Sequence, residues 1–437
     1  MKYFWLISIF FDKINFMFLH LDLDCFFVSA HRTLDKTLED IPVAVGGRSN
    51  LSIFDTKNCK RTISNNSGAF VGSIFTNEEK KSFKEYYKDE NGRIRGIITT
   101  ASYEARAFGV KTAMSVNEAL KLCPHLHMIP PNYPLYHDLS QKLSALLKKE
   151  IPLIEQFSID EFFGDVTGYI NEDEVFDFAN YLKQKIKIEL DLPISIGIAH
   201  SKYLSKLITE YAKPDGIKHI KKEHIPNFIK DIPIEEFPGI GKGYTKKLRG
   251  YGVRTLGDIK DKKELFYSWK KPGIQLYNRV CGINDRKLST TRDKKSIGIG
   301  RSFDVVYERV ELIRRVMILC RYLCFLVKKE NVNPLTYSIF IKYEYGIKSK
   351  DYVNVNTIFN ENDFKLRVKE LFIKSDIHPK HGVIQLNLTV SNFADKKKFT
   401  YNLFEYESDL KKKELTNKVQ TLRDKFGIDI IKTASEL

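Results

Sequence analysis

Three carboxylates stand where an apolar chain can least tolerate them, and they constrain the fold more than any other feature. Residues 18–30, FLHLDLDCFFVSA, read as a short buried strand that breaks into a helix, with Asp22 at the end of the strand. Residues 154–168, IEQFSIDEFFGDVTG, read as two short strands with a turn near Ser158–Asp160, which sets Asp160 and Glu161 at an apolar hairpin. Burying three carboxylates costs too much unless positive charge joins them. A divalent cation meets that need, because magnesium takes oxygen ligands, usually one or two carboxylates plus substrate phosphates. Two such ions about 4 Å apart stabilise both the attacking and leaving oxygens of an in-line displacement at phosphorus. Taken alone, the Asp22–Asp24 spacing reads more readily as a surface or capping pattern. Combined with the SIDE hairpin it is far more specific.

The 437 residues are too many for one core and enough for about three or four domains. Hydrophobic residues make up 43%, which predicts a folded interior. Lys and Arg outnumber Asp and Glu by 71 to 55, and the resulting +16 suits either a polyanionic partner or a solvated basic surface. Cys25, Cys59, Cys123, Cys281, Cys320 and Cys324 form no CxxC pair and no disulfide framework, which fits a reducing, cytoplasmic setting. The apolar run near the N-terminus is too short to span a bilayer, and residues 1–16 read as an added strand or an over-long start.

Along the chain, IPVAVGG (41–47) is a strand ending in a glycine turn. Residues 48–95 then lose periodicity and read as a surface insertion, with a short helix at NEEKKSFKEYYK. Strand and helix patterns return from Gly96, in line with one sheet covered by helices. After a polar linker at 285–296, the order becomes β-α-β-β-α-β, a compact module of about 100 residues. Within it Tyr337, Ile339, Ile341 and Tyr343 alternate with Ser338, Lys342 and Glu344, giving one apolar and one polar face.

LDLDCFF (21–27), TTASYEARAFGVKTAMS (99–115), SIDEFF (158–163), SIGIAHSKYLSKLITEYAKPDGI (195–217) and PGIGKGYTKKL (238–248) occur in the order found in Y-family translesion DNA polymerases. The chain resembles the bacterial, DNA polymerase IV-like branch over roughly 17–425, insertion excepted. The resemblance implies an α+β multidomain, right-hand fold: a ferredoxin-like palm, small fingers, a helix-hairpin-helix thumb and a β-α-β-β-α-β little finger. The expected boundaries are palm and fingers at 17–47 and 96–232 (fingers about 31–47 and 96–130), insertion 48–95, thumb 233–284, linker 285–296, little finger 297–396 and tail 397–437.

The family's roles carry over position by position. Asp22, Asp160 and Glu161 match its metal-binding carboxylates, and the Leu23 carbonyl a backbone ligand, for two Mg2+ ions. Asp24 reads instead as a structural carboxylate bonding backbone amides. Phe27 matches the steric gate beneath the sugar, where a rigid ring leaves no room for a 2′-hydroxyl. Tyr103, Arg106 and Lys213 match residues that hold the triphosphate. The expected reaction is attack of the primer 3′-oxygen on the α-phosphorus of a dNTP, without proofreading. FPGIG (237–241), with Gly239, Gly241 and Lys242, resembles a hairpin whose amides accept a DNA phosphate, and KPGIQ (271–275) reads as a weaker second copy. Leu403 and Phe404, in FTYNLFEYESD, stand where such polymerases hold a sliding clamp, although the usual leading glutamine is absent. The expected partners are therefore primer–template DNA, dNTPs and the clamp, for a monomer with no membrane association. A DNA-binding scaffold would not need the carboxylate cluster, and a nucleotide cyclase with a similar palm would have no use for the hairpin.

Overall fold

The computed structural model describes residues 16–49, 51–54, 61–63, 74–76, 83–89, 92–283, 288–290, 294–395 and 406–437. Residues 1–15 and the Leu403–Phe404 pair lie outside them. The strands are β1 (Phe18–Leu23), β2 (Val43–Gly47), β3 (Arg61–Ile63), β4 (Ile74–Thr76), β5 (Ile97–Ala101), β6 (His127–Ile129) and β7 (Leu153–Gln156). They continue with β8 (Glu161–Asp165), β9 (Ile194–Ala199), β10 (Ile217–His219), β11 (Ser296–Val306), β12 (Pro334–Tyr343), β13 (Lys348–Asn354) and β14 (Val383–Phe393). The helices begin with α1 (Phe26–Arg32), α2 (Phe83–Tyr87), α3 (Tyr103–Ala107), α4 (Val116–Leu122), α5 (Tyr133–Glu150), α6 (Val175–Leu190) and α7 (Lys202–Glu210). They end with α8 (Ile225–Ile229), α9 (Lys242–Gly250), α10 (Lys263–Ser268), α11 (Lys270–Val280), α12 (Arg309–Lys329), α13 (Glu361–Ser375) and α14 (Tyr406–Phe426). Among the described residues, no helix is long and apolar enough to cross a membrane.

These elements form two compact units, one of 16–46 and 97–290, the other of 294–437 with the described part of 47–96. The first is built on a five-stranded sheet of order β10-β9-β1-β8-β7, with β1 antiparallel to both neighbours. Alternation along β1 sends Leu19, Leu21 and Leu23 into a core with Leu143 and Leu147 of α5 and Leu182 and Ile186 of α6. The same alternation turns His20 and Asp22 to the opposite face. There α7 comes very close: a Cβ on Gly197 of β9 would stand 2.2 Å from the Ser205 carbonyl and 2.5 Å from Thr209 Oγ1. Only glycine permits that approach. Ser102, Ser115, Asn132 and Ser201 cap α3, α4, α5 and α7 by accepting a first-turn amide hydrogen bond, each worth about 1 kcal/mol. A smaller sheet of order β5-β2-β6 and a helical layer with its own core (Phe237, Ile240, Leu248, Phe266 and Leu276 among its residues) complete this unit.

The second unit carries the expected β-α-β-β-α-β order, β11-α12-β12-β13-α13-β14, in a four-stranded sheet of order β11-β14-β12-β13. Tyr337, Ile339, Ile341 and Tyr343 are buried, and Ser338 and Lys342 between them are half-buried. The stretch read as a surface insertion and the tail both contribute to this module. Ile53 and Phe54 are 1% and 5% exposed and join the core of this module, and the Phe54 carbonyl accepts from Arg314 Nη2 at 3.0 Å. At the other end, Arg321 is buried in the middle of apolar α12, a position that demands counter-charge. Asp429 and Glu436 supply it, 2.9 and 2.8 Å from the guanidinium, and Lys365 bonds Glu436 at 2.6 Å. The final residues are thus a structural part of the module.

Candidate active site

Register alone brings the carboxylates together. Asp22 on β1 lies opposite Glu161 on β8, and the Leu23 amide donates to the Asp160 carbonyl at 3.1 Å. The turn between β7 and β8 is held by Ser158, whose backbone amide donates to the Glu161 carbonyl at 3.2 Å and whose hydroxyl accepts from the Glu161 amide at 3.1 Å. The Ser158 hydroxyl also donates to the Asp160 carboxylate. Burial pushes the Asp160 pKa above the usual carboxylate range, Ser158 opposing and Glu161 adding to the shift. Asp22 is pushed up to about 8, chiefly by burial, with Lys213 pulling against it and Asp160 and Glu161 reinforcing it.

Lysines face this negative cluster. Lys213 Nζ lies 3.1 Å from Asp22 Oδ2 and 2.9 Å from Glu210 Oε1. Burial disfavours its charge, yet Asp22 and Glu210 outweigh that and raise its pKa above the ordinary lysine value. Lys206 of α7 pairs with Glu161, and Lys202, one turn earlier, pairs with Glu155 at 2.6 Å. Sequence reasoning did not single out these two lysines, although their i,i+4 spacing in SKYLSK was a legible signal. It also passed over His20. This ring is fully buried, packs on Phe163 with centroids 4.7 Å apart, and shares the face of Asp22. Its Nδ1 is 2.8 Å from Thr209 Oγ1, and its Nε2 is 4.0 Å from Glu161 Oε2. Burial, then the charges of Lys206, Lys213 and Lys202, hold its pKa well below the ordinary value.

A ring nitrogen of His20 and one oxygen each of Asp22 and Glu161 lie within 4.8 Å of one another. Buried carboxylates, a buried nitrogen without a hydrogen-bond partner among the described residues, and a raised Asp22 pKa all fit a divalent cation. Asp160 is adjacent but outside this trio.

The remaining predicted residues are placed as follows. Asp24 accepts from Ser195 Oγ at 2.8 Å, the Asp215 amide at 2.8 Å and the Tyr103 hydroxyl at 2.9 Å, which makes it a structural hub. The proton that Tyr103 would offer a phosphate is therefore aimed at Asp24. Arg106 is exposed, with its guanidinium 4.8 Å above the Tyr103 ring and its Nε donating to the Ala101 carbonyl. Phe27, in the first turn of α1, is half-buried and stacks on Tyr136 with centroids 4.2 Å apart and planes at 12°.

In the helical layer, Gly239 has φ +103°, the left-handed region its turn requires, and Gly241 caps α9 with no side chain over the helix start. Gly241, Lys242 and Gly243 are exposed, so the first amides of α9 face outward beside a lysine. KPGIQ is not a second hairpin. It lies inside α11, where Pro272 stands in the first turn and needs no amide hydrogen, and Gly273 lets the helix close on the Phe266 carbonyl.

Comparison with known proteins agrees with this arrangement. The impB/mucB/samB family matches residues 21–210, and the IMS family HHH motif matches residues 222–253. DNA polymerase IV 1 of Halalkalibacterium halodurans is 31% identical over 366 residues, 78% of this chain and 84% of that protein. DNA polymerase IV of Clostridioides difficile is 29% identical over 399 residues, 89% of this chain and 96% of that protein. Among solved structures, a Y-family DNA polymerase chimera of Dbh and Dpo4 shares the fold, with a TM-score of 0.70 at 20% identity over 86% of this chain and 99% of that one. With its carboxylates on paired strands and its hairpin in the matched motif, the chain belongs to the Y family of DNA polymerases, in the DNA polymerase IV branch, and is a DNA-directed DNA polymerase of the translesion kind.

Proposed function

We propose that Asp22, Asp160 and Glu161, with the Leu23 carbonyl, hold two Mg2+ ions that serve transfer of a deoxynucleotide from a dNTP to a primer 3′-hydroxyl. The observation that carries this reading is the pairing of Asp22 with Glu161 across β1 and β8, faced by Lys206 and Lys213. The ions, when bound, supply charge to the attacking and leaving oxygens. The chain's own groups do the rest. Lys213 exchanges its contact with Asp22 for the triphosphate, and Arg106 binds the same group from the start of α3. Tyr103 joins them by turning its hydroxyl proton away from Asp24. Phe27, held flat by Tyr136, lies under the sugar and selects deoxyribose by shape.

Amides at Gly241 and Lys242 bind a backbone phosphate of the primer–template. We assign palm and fingers to 17–47 and 96–232, thumb to 233–284 and little finger to 297–396. The protein works as a cytoplasmic monomer, with a sliding clamp held through Leu403 and Phe404. Primer extension on undamaged and abasic templates tests the central claim. Asp160→Asn with Glu161→Gln should abolish extension while leaving DNA binding intact, and extension surviving in that variant would overturn the mechanism.

A further inference from the structure

The sequence HLD along β1 puts His20 two residues before Asp22, so both side chains leave the same face of the sheet. The ring is 0% exposed, and its Nε2 has no hydrogen-bond partner among the described residues. A buried nitrogen left in this way costs free energy unless something binds it.

The other ring nitrogen decides which form is present. Thr209 Oγ1 is 2.9 Å from the Ser205 carbonyl, one turn back on α7, and 3.3 Å from the His20 carbonyl. Both are acceptors, so the single hydroxyl proton is aimed at a carbonyl and Oγ1 is left as an acceptor. His20 Nδ1, at 2.8 Å, is therefore the donor. In a neutral ring this leaves Nε2 with its lone pair, pointing at the carboxylates. Glu161 cannot satisfy it, because a carboxylate oxygen offers no proton and stands 4.0 Å away. Two lone pairs facing each other across that gap repel, and a cation between them relieves both.

We propose that His20 Nε2 is a direct nitrogen ligand to a divalent ion shared with Asp22 and Glu161. This rests on the reading that those carboxylates bind metal. A ring nitrogen of His20 and one oxygen of each carboxylate lie within 4.8 Å of one another, whereas ligands on opposite sides of such an ion stand roughly 4.0–4.4 Å apart. The donors need only draw together to close the set around the ion. The Thr209 contact acts as the outer partner that fixes the tautomer, as hydrogen-bonded groups do behind metal-ligating histidines. Gly197 makes it possible by letting α7 approach the sheet. An imidazole donor shifts preference from Mg2+ toward first-row transition ions.

The test uses Mn2+ on the full-length protein, read by electron spin echo modulation with and without 15N-labelled histidine. The expected result is a directly bound nitrogen coupling that changes with the label and vanishes in His20→Phe, which keeps a ring against Phe163. His20→Phe should also weaken Mn2+ binding by about tenfold or more, and Mg2+ binding by less. Bound Mn2+ without nitrogen coupling in the wild-type protein overturns the proposal and leaves the carboxylate reading intact. Coupling that persists in His20→Phe overturns it too. Mn2+ binding unaffected by Asp22→Asn with Glu161→Gln would remove the underlying reading as well. Should His20→Phe fail to fold, His20→Leu is read in the same way, and absence of nitrogen coupling in the labelled wild-type protein overturns the proposal without either variant.

Discussion

The ring of Phe54 meets Phe303 edge-on, with centroids 6.0 Å apart and planes at 85°, inside the core of the C-terminal module. The Arg315 guanidinium lies 4.9 Å from one ring centroid and 4.6 Å from the other, so the cation ties the pair together. Phe54→Ala removes a buried ring that the neighbours cannot replace, and should cost about 3–5 kcal/mol of the module's stability. Chemical unfolding of the full chain measures this. Deleting 50–92 should destabilise the module in the same way while sparing basal synthesis, since Asp22, Asp160 and Glu161 belong to the other unit. Unchanged stability in both variants would refute the packing role.

Glu361 provides a pH handle on the same module. Burial opposes its charge, but Arg423 and Lys365 outweigh that and hold its carboxyl below the ordinary value of 4.5. A carboxylate depressed in the folded state adds stability above its unfolded pKa and loses it as pH falls through the folded one. Glu361→Gln leaves the buried Arg423 without its counter-charge, which should cost about 3 kcal/mol at neutral pH. The gap between variant and wild type should narrow as pH falls from about 5. Urea melts at pH 7 and pH 4 check the sign, and a constant gap would contradict it.

Phe27 is clamped from one side by the Tyr136 ring, so it has little freedom to yield to a larger sugar. An apolar pocket rejects a substrate that carries one added hydroxyl by roughly a hundredfold. Phe27→Ala should lose about that factor in dNTP over rNTP selectivity, seen as a ratio of kcat/KM values on one template. Phe27→Tyr, which keeps the stacked ring, should retain it. Equal ribonucleotide rejection in Phe27→Ala would remove the steric role.

What could be read from residues alone follows distance along the chain. The strand that opens 18–30, the hairpin within 154–168 and the β-α-β-β-α-β order rest on local alternation, and the structure has a strand at Phe18–Leu23, paired strands at Leu153–Gln156 and Glu161–Asp165, and that order. Asp24 announced itself as structural, though not that Tyr103 would be one of its donors. His20 was not legible, because its meaning depends on Thr209, 189 residues away, and on Gly197 letting α7 approach. A histidine in an apolar strand otherwise reads as core. Leu51, Ile53 and Phe54 are three apolar residues in a polar stretch, too few to set a period. Arg321 in the apolar run 316–327 was a stronger clue that went unused, since a charge there requires partners, and the tail supplies them.

The exposed start of α9 offers a seat for a backbone phosphate. Gly241 leaves the first amides uncovered, and Lys242 adds a full charge beside them. A phosphate bound there is held by backbone donors and one ammonium, neither of which contacts a base edge. Lys242→Ala should therefore weaken primer–template binding to the same degree on every sequence. It should also lower the slope of log affinity against log salt by about 0.9, the value for one phosphate contact on duplex DNA. Gly241→Asp, which places a carboxylate over the same amides, should weaken binding further by occupying them and repelling the phosphate. Fluorescence anisotropy on two unrelated duplexes across a salt series provides the measurement. A sequence-dependent loss, or an unchanged salt slope, would mean that this helix start does not hold the DNA backbone.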